Sequence, residues 1–384
     1  MTYNLLKPRL IEAWPANVRL DAPYQYAYAV HSGLTRTVIR VTTKDGVIGL
    51  GETPQAYDAS LLNNLPDRVI EAMTNRVSVQ GSADYWRWEH TEDATLRRAC
   101  AGVEMALWDA TAKSKGVPLY ELLGGAAHLE LPCTEYFAPR IGRERSIEEI
   151  AEYCGQMAKE HGSPWFEGKV SVFTPDEDIR LIEAVRKAIG DDKVIRIDAN
   201  MGWSVDTAAY VLERIAPFDI ANIEEPVGSV EEMVELRKRT HVPFSTHDVD
   251  VDSAAKHGVP NNICCDLATC GGIRGMADFI DRCEHLGVGV WGYSGDLGIA
   301  GAAMLHVLAT RPYAEQPSQS LLRWYTDDVI VGGAFPFENG YVSVPTGMGL
   351  GVELDEDALA RAVELYKKEG DYDRIDNYPP LPRF

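Results

Sequence analysis

Polar residues recur along the second half of the chain at intervals that would gather them in one place: Lys169, Asp198, Glu224, His247 with Asp248 beside it, Asp266 and Tyr293, separated by 29, 26, 23, 19 and 27 residues. Asp198, in RIDANMGW, and Glu224, in NIEEPV, each follow an apolar run. One carboxylate in such a place is most simply a helix N-cap or a solvated turn residue. Two or three on successive strands are different, because like charges brought to one mouth repel unless a cation sits among them. The pattern therefore points to a divalent metal. Oxygen ligands suit Mg2+; in VPFSTHDVD either His247 or Asp248 could supply a third ligand, Asp248 keeping the site suited to Mg2+ and His247 tilting it toward Mn2+. Neighbours along a strand face opposite ways, so only one of the two ligates. Lys169, in FEGKVSV, would have its ammonium form disfavoured beside such a cation and could then move protons. A lone lysine on a strand is otherwise a snorkelling surface residue.

The elements that would hold these residues are short strands alternating with amphipathic stretches such as DEDIRLIEAVRKAIG. Candidate strands are 134–138, 166–172, 194–199, 220–225, 242–246, 262–268 and 288–293. The alternation argues a parallel sheet. A closed barrel brings one side chain per unit to a common mouth, whereas an open sheet spreads them along an edge, and no GxGxxG follows the first strand. Before this region the texture differs. TRTVIRVTT, the turn KDG and VIGLGE read as a hairpin, and DATLRRACAGVEMALWDATAKSKG carries Leu96, Cys100, Val103, Ala106, Leu107 and Ala110 at helical spacing up to Gly116. Residues 1–125 thus read as an α+β unit and 126–354 as the barrel.

A formal charge of −21, with no basic tract, repels nucleic acid and anionic membranes. An anionic substrate would need a local positive centre. The seven cysteines show no CxxC or zinc spacing and read as buried free thiols of a cytoplasmic protein. The first residues lack the features of a signal peptide, and no run of about 18 apolar residues occurs.

DAN after one strand, EEP after the next, a lysine one strand earlier and Asp266 followed by Gly271 and Gly272 resemble the enolase superfamily, in its mandelate racemase and muconate lactonizing enzyme branches. VTTKDGVIGLGE and VPTGMGLGVELDED extend that resemblance over nearly the whole chain. HSGLTRTVIRVTTKDGVIGLGETP, WGYSGDLGIAGAAMLHVLA and NGYVSVPTGMGLGVELDEDALARAVELYKK look most like glucarate dehydratases, which remove water from C6 aldarates. The resemblance implies a (β/α)7β modified TIM barrel under an α+β capping domain formed by the N-terminal part and by residues 355–384 returning to it. It also implies assembly into a homo-oligomer. The implied chemistry is removal of the proton α to a substrate carboxylate, with Mg2+ absorbing the charge of the enediolate.

By the same resemblance Lys169 matches the second lysine of a K-x-K motif, with Glu167 in place of the first. Glu167 shares Lys169's face of the strand and could pair with it, raising its pKa. Asp266 matches an aspartate that orients a histidine, and Tyr293 stands in that histidine's position. A phenol is a poor base at neutral pH but an acceptable acid or hydrogen-bond donor. His31 falls in the loop resembling the dehydratases' specificity loop, Arg36 beside it reads as structural, and Asn200 would support the metal ligands. Tyr136 and Arg383 could meet a distal carboxylate of the substrate. His257, His285 and His306 sit in helical contexts and read as structural. Three functions stay open: an acid-sugar dehydratase giving a 2-keto-3-deoxy acid, an epimerase or racemase using the same enediolate, and a metal-binding homologue with little enolising activity.

Overall fold

The computed structural model describes residues 2–57, 59–74, 77–78, 94–247, 250–293 and 296–372. A long antiparallel hairpin, Pro8–Tyr26 with Ala29–Thr43, is extended by Ile48–Pro54 into a three-stranded sheet. The helix Ala94–Lys115 lies on this sheet, and Gly116 follows at φ 70°, the left-handed conformation that ends a helix at least cost. Its approach is close because Gly51 has no Cβ; one placed there would meet the Gly102 carbonyl oxygen at 1.9 Å. The helix Glu356–Glu369 returns to pack on Pro8–Tyr26, and Arg40 reaches its first turn through Glu356 at 2.7 Å.

The rest is a barrel. Seven parallel strands, Glu135–Phe137, Trp165–Lys169, Val194–Asp198, Ile220–Glu224, Phe244–Thr246, Asn262–Cys265 and Gly289–Gly292, are hydrogen-bonded in sequence order, and each is followed by helix. Residues 318–320 close the ring: the Gln319 N–H bonds the Gly292 carbonyl at 3.0 Å, and the Thr134 N–H bonds the Ser318 carbonyl at 2.8 Å. This is the (β/α)7β arrangement with a separate antiparallel cap. The strands stop three residues sooner than their apolar patterns suggest at 166–172 and 262–268. The physical reason is visible at Asp266, which leaves the ladder to accept the Thr269 N–H at 2.8 Å as an N-cap. Outward residues such as Ile195, Ile197, Ile223, Phe244 and Ile263 are buried under the helices. Among the described residues no helix is long and apolar enough to cross a membrane.

Two buried glutamates of the cap grip the barrel by its helix N-termini. Glu52 accepts the Leu297 and Ala300 N–H groups at 2.7 and 3.0 Å, where Gly298–Ala309 begins. Glu104 accepts those of Ile273 and Arg274 at 2.8 and 3.3 Å, where Ile273–Leu286 begins. The free N–H groups of a helix N-terminus welcome such acceptors. Burial nevertheless pushes Glu104 up to about 7 and Glu52, also facing Asp296, up to about 8. Arg36 completes the contact, with Asp296 at 3.4 Å and Glu52 at 3.9 Å. Its structural role is as expected.

A carboxyl group with a raised folded pKa stabilises relative to its ionised form only while protonated. Glu104 in the unfolded chain ionises near 4.5, before the folded one at about 7, so stability falls across that window as pH rises. Glu104→Gln should flatten this segment of the stability curve, by up to roughly 3 kcal/mol, in urea titrations at pH 5 and pH 8. Equal pH dependence in the two proteins would refute it.

Candidate active site

Register alone brings the central side chains together: Lys169 pairs with Asp198, and Asp198 with Glu224, on adjacent strands. The Lys169 ammonium is hydrogen-bonded to Asp198 Oδ2. It also stands 5.4 Å from the Tyr26 ring and 5.8 Å from that of Tyr136, within range of cation–π attraction. Burial alone would lower its pKa, but Asp198, Tyr136, Tyr24 and Glu224 outweigh it and hold Lys169 well above the ordinary lysine value. The direction is opposite to that expected beside a bound cation, because here Asp198 faces the ammonium directly. Asn200, at φ 45°, turns back to give its N–H to Asp198 Oδ1 at 2.8 Å and its side-chain NH2 to Oδ2 at 3.1 Å.

Glu224 is fully buried and meets His247 Nε2 at 2.6 Å. Burial first, then Asp198, push its pKa up to about 7 against the pull of His247. For His247 burial works downward, yet Glu224, with Glu225 and Asp198, raises it to about 10. The imidazole also lies edge-on to the Tyr293 ring, with centroids 5.2 Å apart. Burial, with Tyr24 adding to it, holds the Tyr293 phenol well above 10, so it is a donor and not a base.

Glu167 corrects an expectation. It does not pair with Lys169 but lies one layer deeper, accepting from Arg196 Nη2 at 2.6 Å and from Gln319 Nε2 at 2.7 Å. The same Gln319 amide donates to Glu224 Oε2 at 2.7 Å. Glu167 lies two positions back along the strand from Lys169, and Arg196 occupies the matching depth next door, so the nearer opposite charge takes it. Asp266 is a second departure. Its carboxylate caps Leu267–Cys270 at the rim of the cavity, where it was expected to orient the residue at position 293.

A cavity of about 420 Å³ opens above these groups between barrel and cap. Lys169, Asn200, His247, Asp266, Tyr293, Tyr136 and His31 all line it. His31 is not in a loop; it pairs with Tyr24 in the hairpin ladder, and its Nε2 is 2.9 Å from the Tyr26 hydroxyl. Asp248 and Arg383 lie outside the described residues. The lining also includes Tyr24, Tyr26, Tyr28, Arg98 and Glu225, none anticipated. The first three had a signal, since YQYAY at 24–28 spaces its phenols two apart, with Tyr24 and Tyr26 on one face of the strand and Tyr28 in the turn that follows. His306 is structural as expected, taking the Tyr120 N–H at 3.2 Å.

The residues suit a hard divalent cation. Asp198 and Glu224 offer carboxylate oxygens, and the buried Asn200 Oδ1 has no hydrogen-bond partner among the described residues. Glu224, His247 and Cys264 also lie close enough together to share an ion.

Comparison with known proteins agrees with this fold. The model of the mandelate racemase / muconate lactonizing enzyme N-terminal domain matches residues 11–124, and that of the enolase C-terminal domain-like family matches residues 149–358. A Streptomyces coelicolor protein named "Probable glucarate dehydratase" is 29% identical over 88% of this chain and 87% of its own. The D-galactarolactone cycloisomerase of Agrobacterium fabrum is 25% identical over 89% and 94%. An enolase from Thermobispora bispora, solved with magnesium and formate, superposes with a TM-score of 0.83 at 25% identity, covering 99% of this chain and 100% of that one.

If Glu224 holds the His247 proton, the imidazole of the metal-free protein should stay protonated past neutrality in NMR titrations. Glu224→Gln should return its midpoint toward about 6.5. A midpoint near 6.5 in both proteins would remove Glu224 as the cause.

Proposed function

Because the chain belongs to the enolase superfamily, of the mandelate racemase and muconate lactonizing enzyme type, we propose that it is a Mg2+-dependent dehydratase of acid sugars, converting an aldarate or aldonate into a 2-keto-3-deoxy acid. The observation that carries the reading is one pair of groups on different walls of one cavity. Lys169 stands beside Asp198 as a base in waiting, and Tyr293 keeps its proton. The similarity to a protein named as a glucarate dehydratase and to a magnesium-bound enolase structure supports it.

Asp198 and Glu224 would hold the cation, with the unpartnered Asn200 Oδ1 a further oxygen donor beside Asp198 and His247 or Asp248 as third ligand; His247 in that role would admit Mn2+. When bound, it supplies positive charge against the substrate carboxylate. Neutralised by a cation, Asp198 would lose the charge that holds the Lys169 proton; Lys169, then the amine, takes the α-proton, and the electron pair left on carbon expels the β-hydroxyl, which leaves as water with a proton donated by Tyr293. The enol then becomes the keto acid. The high pKa of Tyr293 disfavours epimerisation, since returning a proton from either face needs a second group that can accept one.

The test is incubation with Mg2+ and a panel of aldarates and aldonates in D2O, followed by NMR. Keto acid should form, and Lys169→Ala should abolish both product and α-proton exchange. Tyr293→Phe should keep exchange while slowing product formation about a hundredfold or more. Exchange or inversion with no keto acid would replace the reading by an epimerase. No reaction on any substrate, with Lys169→Ala unchanged in every property, would leave a binding protein.

A further inference from the structure

We propose that Arg98 receives a second carboxylate of the substrate, so that the chain selects dicarboxylic over monocarboxylic acid sugars. The proposal rests on the dehydratase reading for the first carboxylate, and on three observations for the second.

First, Arg98 lines the same cavity as Lys169 and Asn200, and it comes from the cap, on the helix Ala94–Lys115. Among the described residues its guanidinium makes no ion pair or hydrogen bond. The other cations facing the barrel interior and the junction are matched: Lys169 by Asp198, Arg196 by Glu167, and Arg36 by Asp296. In a chain of net charge −21, a half-buried arginine in a cleft without a carboxylate partner among the described residues is unusual. A planar fork of donors suits a carboxylate brought by a ligand.

Second, its position is fixed. The Thr53 hydroxyl donates to the Arg98 carbonyl at 2.6 Å, and Glu104 on the same helix holds the Ile273 and Arg274 N–H groups of the barrel. The base of the side chain therefore cannot drift relative to the barrel mouth.

Third, it stands across the mouth from the reacting end. The helix bearing Arg98 packs against Leu267–Cys270, which follows the sixth barrel strand, and Thr269 of that turn lines the cavity with it. Lys169 ends the second strand. In a ring closed by an eighth strand, the second and sixth lie diametrically opposed. One anionic end held near Lys169, Asp198 and Glu224 thus leaves the other end of an extended acid directed to Arg98.

The test uses pairs that differ only at the far end: glucarate with gluconate, galactarate with galactonate, tartrate with threonate. Dissociation constants are measured by calorimetry with Mg2+ in the Lys169→Ala background, which stops turnover, with Arg98 native, Arg98→Gln or Arg98→Lys. The protein with native Arg98 should favour the diacid in at least one pair. Arg98→Gln should weaken that diacid about 10- to 100-fold while leaving its monoacid partner unchanged, and Arg98→Lys should recover part of the loss. Absence of diacid preference in every pair overturns the proposal, and so does an equal loss for both members of a pair in Arg98→Gln. Binding is read without turnover, so the two readings fail separately. A diacid bound through Arg98 but never dehydrated sinks the dehydratase alone; keto acid from monoacids, with no diacid preference, sinks Arg98 alone.

Discussion

Carboxylates crowded at the mouth of one barrel repel one another, and much of the interior is arranged around that repulsion. Asp198 and Glu224 sit on adjacent strands in register, with Glu225 next in sequence and Glu167 a layer below. Three of these four acids have a counter-group at their own depth: Lys169 for Asp198, His247 for Glu224, Arg196 for Glu167. Removing one partner would leave a buried charge uncompensated, which costs far more than the pair itself contributes. The barrel interior is therefore polar where many barrels are filled by branched apolar side chains. Gln319 shows how fully the arrangement is used, since one amide serves both Glu167 and Glu224 from the closing strand.

The second constraint is the alignment of cap and barrel. Neither makes the cavity alone: its floor is barrel, while Tyr24, Tyr26, Tyr28, His31 and Arg98 come from the cap. Glu52 and Glu104 join the two by occupying helix N-termini, where backbone N–H groups would otherwise lack partners. These contacts sit at the end of the barrel where the functional side chains emerge. Docking and site assembly are therefore the same event, and a shift of the cap would displace the phenols that flank Lys169.

The polar residues at strand ends were legible because a parallel barrel repeats one unit, and repetition appears in a sequence as spacing. Lys169, Asp198, Glu224, His247, Asp266 and Tyr293 all reach the site, as their intervals imply, and Asn200 comes with Asp198. Their partners were not legible. Glu167 could face Lys169 or Arg196 equally well by strand alternation, and only the depth of Arg196 in the neighbouring strand decides it. Asp266 could orient the residue at position 293 or cap its own turn, and the choice depends on where its strand ends.

The sequence by itself determined the alternation of strand and helix, the hairpin and long helix of the cap, the acids at successive strand ends and the family they resemble, because each of these is written in local period and interval. Only the tertiary structure decided which charge answers which, and which residues from the far side of the chain enter the cavity. Arg98 and the three phenols of YQYAY lie 71 to 145 residues from Lys169 in sequence. No periodicity links them to it; packing of the cap across the barrel mouth does.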